Sequence, residues 1–225
     1  MSSPVVPHPR WVKQLDASLE PLRQRILELD VVVHASENRL GESAIRNFMV
    51  EFYPIIRDFP GWLETLLERT PEDGLPFFRE NLRVERKHAM MWQAMGEGFG
   101  VPLKRFHDEE RGNEAVEEFH AYLTGMGETG TFASAVAATN YAVEGVAQGI
   151  SAKALEGLQH HPKLGERGRW WLEEHAKYDD EHPVMALELI KACVGRGEDE
   201  PELVSQAAKQ SLELMHLAMD ASYHD

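Results

Sequence analysis

Apolar residues recur at threes and fours along most of the chain. Trp11, Leu15, Leu19, Leu22, Ile26, Leu27 and Val31 mark an amphipathic helix from Arg10 to about Ala35. Asn38 to Gly41 ends it. A second helix runs from Glu42 to about Asp58, with Ile45, Phe48, Met49, Phe52, Ile55 and Ile56 on one side. Phe59-Pro60-Gly61 kinks or ends it, because proline cannot donate the helix hydrogen bond, and a short helix resumes over Trp62 to Arg69. Thr70 to Gly74 is a turn whose threonine is placed to cap the next helix. Long helices are expected from Pro76 to about Phe99, closed by Gly100, and from Gly112 to Gly127. Another spans Thr131 to about Leu158 and is rich in alanine and glycine. Gln159 to Gly168 reads as a polar loop, Arg169 to Gly195 as a helix and Glu200 to about Tyr223 as the last one. No segment alternates with period two between turn signals. The pattern predicts an all-α bundle of about seven helices around one core, a single domain over residues 1–225 with 1–9 as an extended arm.

The composition narrows the partners. The 225 residues carry a formal net charge of -15, which disfavours nucleic acid and anionic membrane surfaces. No apolar run approaches the roughly 20 residues of a membrane span. The N-terminal segment lacks a signal-peptide pattern, and Cys193, the single cysteine, can form no internal disulfide. A cytoplasmic protein is the expectation.

The helical periodicity also places chemistry. WWLEEHAKYDDEHP holds His175, Asp179 and His182 at spacings of four and three, so the three groups share one helix face. Glu85 and His88, three apart, share a face with Leu82, Met91, Trp92 and Met95, and such a face looks inward. An inward Glu beside an inward His is costly unless paired or metal-bound. Glu144 is a lone acid amid alanines, glycines and valines. Three carboxylates and three imidazoles from three helices suit iron or manganese, and six ligands match a dinuclear centre. Asp180 and Glu181 face elsewhere and are read as solvent-exposed. His160 and His161 sit in a polar loop, His107, His120, His216 and His224 have no partner at ligand spacing, and Cys193 reads as a buried thiol.

The segments NLRVERKHAMMW, VAATNYAVEG and WLEEHAKYDDEHPVMALELI resemble the heme-oxygenase-like diiron oxidases of the TenA/PqqC superfamily. Within it the chain is most similar to the UndA-type medium-chain fatty acid decarboxylases. The resemblance runs from about His8 to Met219. It implies a bundle that binds no heme, with Glu85, His88, Glu144, His175, Asp179 and His182 as ligands of two ferrous irons. It further implies O2 as co-substrate, an external electron donor and a small carboxylate substrate, decarboxylated to a terminal alkene, with no catalytic residues beyond the ligands. An apolar channel would take the alkyl chain, with Met91, Trp92, Met95 and Tyr141 as candidate lining, and a homodimer is the candidate assembly. Amino-acid oxygenases or lyases on the same scaffold, and non-catalytic TenA-like binders, are the alternatives. The tyrosine of the self-sacrificing 4-aminobenzoate synthases is replaced here by Val31, Val32 and Val33. The cysteine nucleophile of thiaminase-type TenA proteins is replaced by Asn140 and Tyr141.

Overall fold

The structure, a computed structural model, describes residues 8–108, 113–178 and 181–224, the side chains of 177, 178 and 181 excepted. Helix and turn account for the described chain, and no strand occurs among the described residues. The helices are α1 (Arg10–Leu27), α2 (Asp30–Ser36), α3 (Glu42–Glu51), α4 (Tyr53–Leu67), α5 (Leu75–Glu85) and α6 (His88–Gly98). After a 3-10 turn at Leu103–His107 come α7 (Glu114–Thr129), α8 (Phe132–Val136), a π-helical segment (Ala137–Glu144) and α9 (Gly145–Leu158). The chain ends with α10 (Glu166–Tyr178), α11 (Glu181–Gly195) and α12 (Pro201–Ser222). Several of these are pieces of one expected rod: α1 with α2, α3 with α4, α5 with α6, and α8 with the π segment and α9. The periodicity therefore located the rods, and the structure adds the interruptions within them. Residues 1–7 of the expected arm lie outside the described residues.

The interruptions have local causes. The expected break at Pro60 is absent, and α4 runs through it. The second rod breaks instead at Phe52, just before Pro54 in the first turn of α4, where a missing N–H costs nothing. Thr70 does not cap the following helix. Its hydroxyl donates back to the Leu66 carbonyl at 2.8 Å, and Gly74 stands at the N-cap of α5 without a side-chain bond. Glu85 and His88 are not on one continuous helix, because Arg86 and Lys87 form a turn between α5 and α6. Gly100 closes α6 with φ of 84°, as a helix-ending glycine can without strain.

The core is built around α12, which packs on the π segment, α7 and α1, while α10 packs on α9 and α6. Large side chains such as Phe78, Phe119, Leu63 and Ile190 are fully buried between these layers. The start of α8 is pinned to the loop before α12. Asp199 accepts from the Ser134 N–H and hydroxyl, each at 3.0 Å, and from the Thr131 hydroxyl. This anchoring fixes the rod that carries Glu144.

Candidate metal centre

Glu85 closes α5 and His88 opens α6. The turn between them brings His88 Nδ1 to 2.6 Å from Glu85 Oε2. His88 Nε2 is buried and has no hydrogen-bond partner among the described residues. On α10, His175 Nδ1 lies 2.8 Å from the Trp171 carbonyl. A carbonyl only accepts, so Nδ1 carries the proton and the lone pair is on Nε2. Both imidazoles thus have Nδ1 tied to a protein acceptor, the arrangement by which metal-ligating histidines are oriented. Their ring centroids are 4.4 Å apart, and His175 is stacked on Trp171 at 3.9 Å. Burial, then the neighbouring His88, holds the His175 pKa well below the usual imidazole range, so His175 is neutral at pH 7.

Glu144 ends the π segment and is 5% exposed. Its Oε1 accepts from Asn140 Nδ2 at 2.7 Å and from Asn81 Nδ2 at 3.0 Å. Its Oε2 lies 3.2 Å from His182 Nδ1, on α11. Burial raises the Glu144 pKa, with His182 acting in the opposite direction. One ligating atom each from Glu85, Glu144 and His182 lies within 4.8 Å of the others.

Of the six residues singled out from the sequence, five converge: Glu85, His88, Glu144, His175 and His182. Asp179 lies outside the described residues, as do Asp180 and the side chain of Glu181. The donor set fits iron on two observations. Carboxylate oxygens and imidazole nitrogens, with no thiolate, are the ligands a divalent iron accepts. A buried, unpartnered His88 Nε2 also needs an electrophile to offset its desolvation. The other histidines are engaged elsewhere or peripheral: His120 meets Asp58 at 2.9 Å, and His224 meets Glu51 at 3.0 Å. Cys193 is buried, its thiol pushed up to about 11 by that burial.

An apolar cavity of about 110 Å³ reaches the cluster, with Glu85, His88, Glu144 and His175 in its wall. Val143, Ala147, Ile150, Ala154 and Leu158 line it from one face of the Glu144 rod. At a rise of about 1.5 Å per residue, Leu158 stands roughly 21 Å beyond Glu144 along that helix. Trp92 and Met95 line the cavity, as do Met49, Met215 and Met219. Met91 is buried but is not among the lining residues. Tyr141 is directed to α1 instead. Its hydroxyl bonds Asp16 and Arg23 sits 5.4 Å from its ring centroid, while burial pushes its pKa up to about 12.

Residues 46–216 match the model of a haem-oxygenase-type family described as iron-containing redox enzymes. The chain belongs to that family. Solved structures of this fold superpose along nearly the whole chain. A TenA homologue from Pseudomonas syringae is 25% identical with a TM-score of 0.86, covering 98% of this chain and 97% of its own. A Pyrococcus furiosus TenA homologue is 17% identical at TM-score 0.76, covering 95% of this chain and 100% of that one. A domain of unknown function with a heme-oxygenase-like fold from Shewanella denitrificans is also 17% identical, at TM-score 0.78, covering 98% and 93%. No curated protein matches this family member significantly. The heme-oxygenase-like bundle expected from the sequence is therefore the fold observed.

Two site residues escaped the sequence reading, Asn81 and Asn140. Neither pairs with another chemistry-bearing residue by motif. Their signal was position: each precedes a proposed acidic ligand, Glu85 or Glu144, by four residues, one helical turn.

Proposed function

We propose that this protein is an O2-dependent non-heme iron oxidase whose substrate is a medium-chain fatty acid, converted to a terminal alkene. One observation carries the reading: an apolar cavity has buried carboxylates and imidazoles in its wall. Among the described residues its wall contains no lysine or arginine. A carboxylate headgroup entering it therefore finds its counter-charge at the metal, and the alkyl tail lies along the α9 face. Iron in the centre supplies the binding and reduction of dioxygen. His88 and His175 each offer Nε2, and Glu85 and Glu144 offer charge that offsets that of the cation. A second metal would be held by His182 together with Asp179.

The overall change is an acid R–CH2–CH2–COOH plus O2, two electrons and two protons, giving R–CH=CH2, CO2 and two waters. The substrate yields two electrons from its C–H and C–C bonds, and an external donor provides the other two. An amino-acid-like substrate on the same scaffold is less well supported, because an ammonium group would compete for Glu85 and Glu144 with the metal. The likeness to the Pseudomonas syringae TenA homologue supports a second reading, a TenA-like protein with another role.

The test begins with metal content. Protein from iron-supplemented medium should hold up to two irons per chain, and the double variant Glu144→Ala, His175→Ala should hold none. Zinc alone, or no metal, would sink the oxidase reading. Ferrous protein given dodecanoic acid, O2 and a reductant should then release a terminal alkene into the headspace. Iron binding without any effect of saturated acids on O2 consumption removes the decarboxylase and leaves the family assignment.

A further inference from the structure

We propose that Asn81 and Asn140 are positioning residues for the metal centre: they hold one carboxylate oxygen of Glu144 so that the other, Oε2, is presented to the ion. This rests on reading the cluster as a metal site. Asn140 Nδ2 and Asn81 Nδ2 meet the same oxygen, Oε1, at 2.7 and 3.0 Å. Asn81 is 3.5 Å from Oε2, a marginal contact. Both asparagines are fully buried, at 0% exposure. A carboxylate oxygen has two in-plane acceptor positions, so two amide donors occupy Oε1 and leave Oε2 facing His182.

Asn140 Oδ1 lies 3.0 Å from the Thr139 hydroxyl, whose single proton also meets the Ala135 carbonyl at 2.9 Å. The two amides also arrive from different rods, Asn81 from α5 and Asn140 from the π segment. The clamp therefore fixes the rod of Glu85 relative to the rod of Glu144, and with it the spacing of the two acids. The residue type is informative. A lysine or arginine at either place would neutralise Glu144 and compete with the cation. A neutral amide fixes the geometry and leaves the negative charge for the metal.

The experiment titrates metal-free full-length protein with cobalt(II), which reports its ligand geometry through its visible d–d bands. Asn81→Leu and Asn140→Leu should each weaken cobalt binding by about 10- to 100-fold, the range for lost outer-shell partners. They should also shift the d–d bands, as Glu144 changes its mode of binding. A merely structural role would lower the unfolding temperature of the metal-free variants and leave the bands of the loaded protein in place. Unchanged affinity and bands in both variants overturn the proposal while wild-type binding upholds the metal centre. Absence of cobalt binding by the wild type overturns both. If the leucine variants do not fold, Asn81→Ala and Asn140→Ala, smaller truncations that remove the same donors, should still weaken binding several-fold. Wild-type affinity in both overturns the clamp.

Discussion

His175 shows what burial does to a single group. In the metal-free protein its imidazole is held neutral, with a pKa well below the ordinary 6.5. The unfolded chain takes up a proton near that pH and the folded site does not. The stability difference is therefore complete above about pH 6.5 and declines as pH falls, by up to about 1.4 kcal/mol per pH unit. Glu144 acts with the opposite sign. Its raised pKa lets the folded chain bind a proton above the ordinary 4.5, which adds stability as pH falls toward that value. The two compete in one protein, so the comparison must be between variants. Urea midpoints of metal-free protein between about pH 7.5 and 5 should fall less steeply in His175→Gln than in wild type. Equal slopes would remove His175 as the source. At this scale the sequence was informative wherever a motif existed. Glu85 with His88, and His175 with His182, announced themselves by helical spacing. Asn81 and Asn140 did not, since a lone amide in a helix is ordinarily a surface residue and its partner is 63 residues away in one case.

The elements were legible as rods and illegible as interruptions. Arg86 and Lys87 are good helix formers, so nothing in their chemistry foretold the turn that separates Glu85 from His88. The π segment was equally silent, because alanine, threonine and valine sit in α and π turns alike. Yet π turns concentrate at functional sites, and this one carries Asn140 and Glu144. Pro60 misled for a physical reason: one lost hydrogen bond is tolerated in a helix whose flanks are buried, as Phe59 and Trp62 are. Glycine separates two further cases. A Cβ at Gly157 would lie 2.2 Å from the Ala35 carbonyl oxygen and 2.5 Å from that of Ser36, so α2 packs on α9 through this position. Gly157→Ala should destabilise by about 1–3 kcal/mol, the cost of overpacking against backbone. Gly125, within α7, has nothing within 4 Å of its Cβ position. Gly125→Ala should stabilise by about 0.5–1 kcal/mol through helix propensity. Denaturant midpoints that move in the same direction would contradict the packing argument.

For the molecule as a whole, the cavity was the feature least visible beforehand. Its walls are Val, Ile, Leu, Met and Phe at core spacings, and a residue beside a void reads in sequence like a residue in a solid interior. What distinguishes them is the absence of a filling neighbour, which only the assembled rods reveal. If the proposed alkyl tail lies along α9, Ala154 limits how far it reaches. Ala154→Phe should shorten the longest acid that is bound or consumed and leave iron content at the wild-type level. An unaltered chain-length profile would place the tail elsewhere. The acidic surface, at a net charge of -15, bears on the same substrate. It repels a free carboxylate at distance, and the cavity must overcome this by apolar contact.

The methionines of that wall carry a consequence of their own. Met49, Met95, Met215 and Met219 place four thioethers around the space that opens on the candidate metal centre. Sulfur is the most readily oxygenated atom in such a lining, and its sulfoxide is polar and bulkier. On the proposed oxidase reading, a tail in the cavity would shield these atoms, and an oxidant formed without one would meet them first. Each turnover that misses its substrate would then make the cavity a little more polar and a little less able to hold the next acid. On that reading, methionine rather than leucine in this wall would make substrate occupancy a condition of the enzyme's own lifetime.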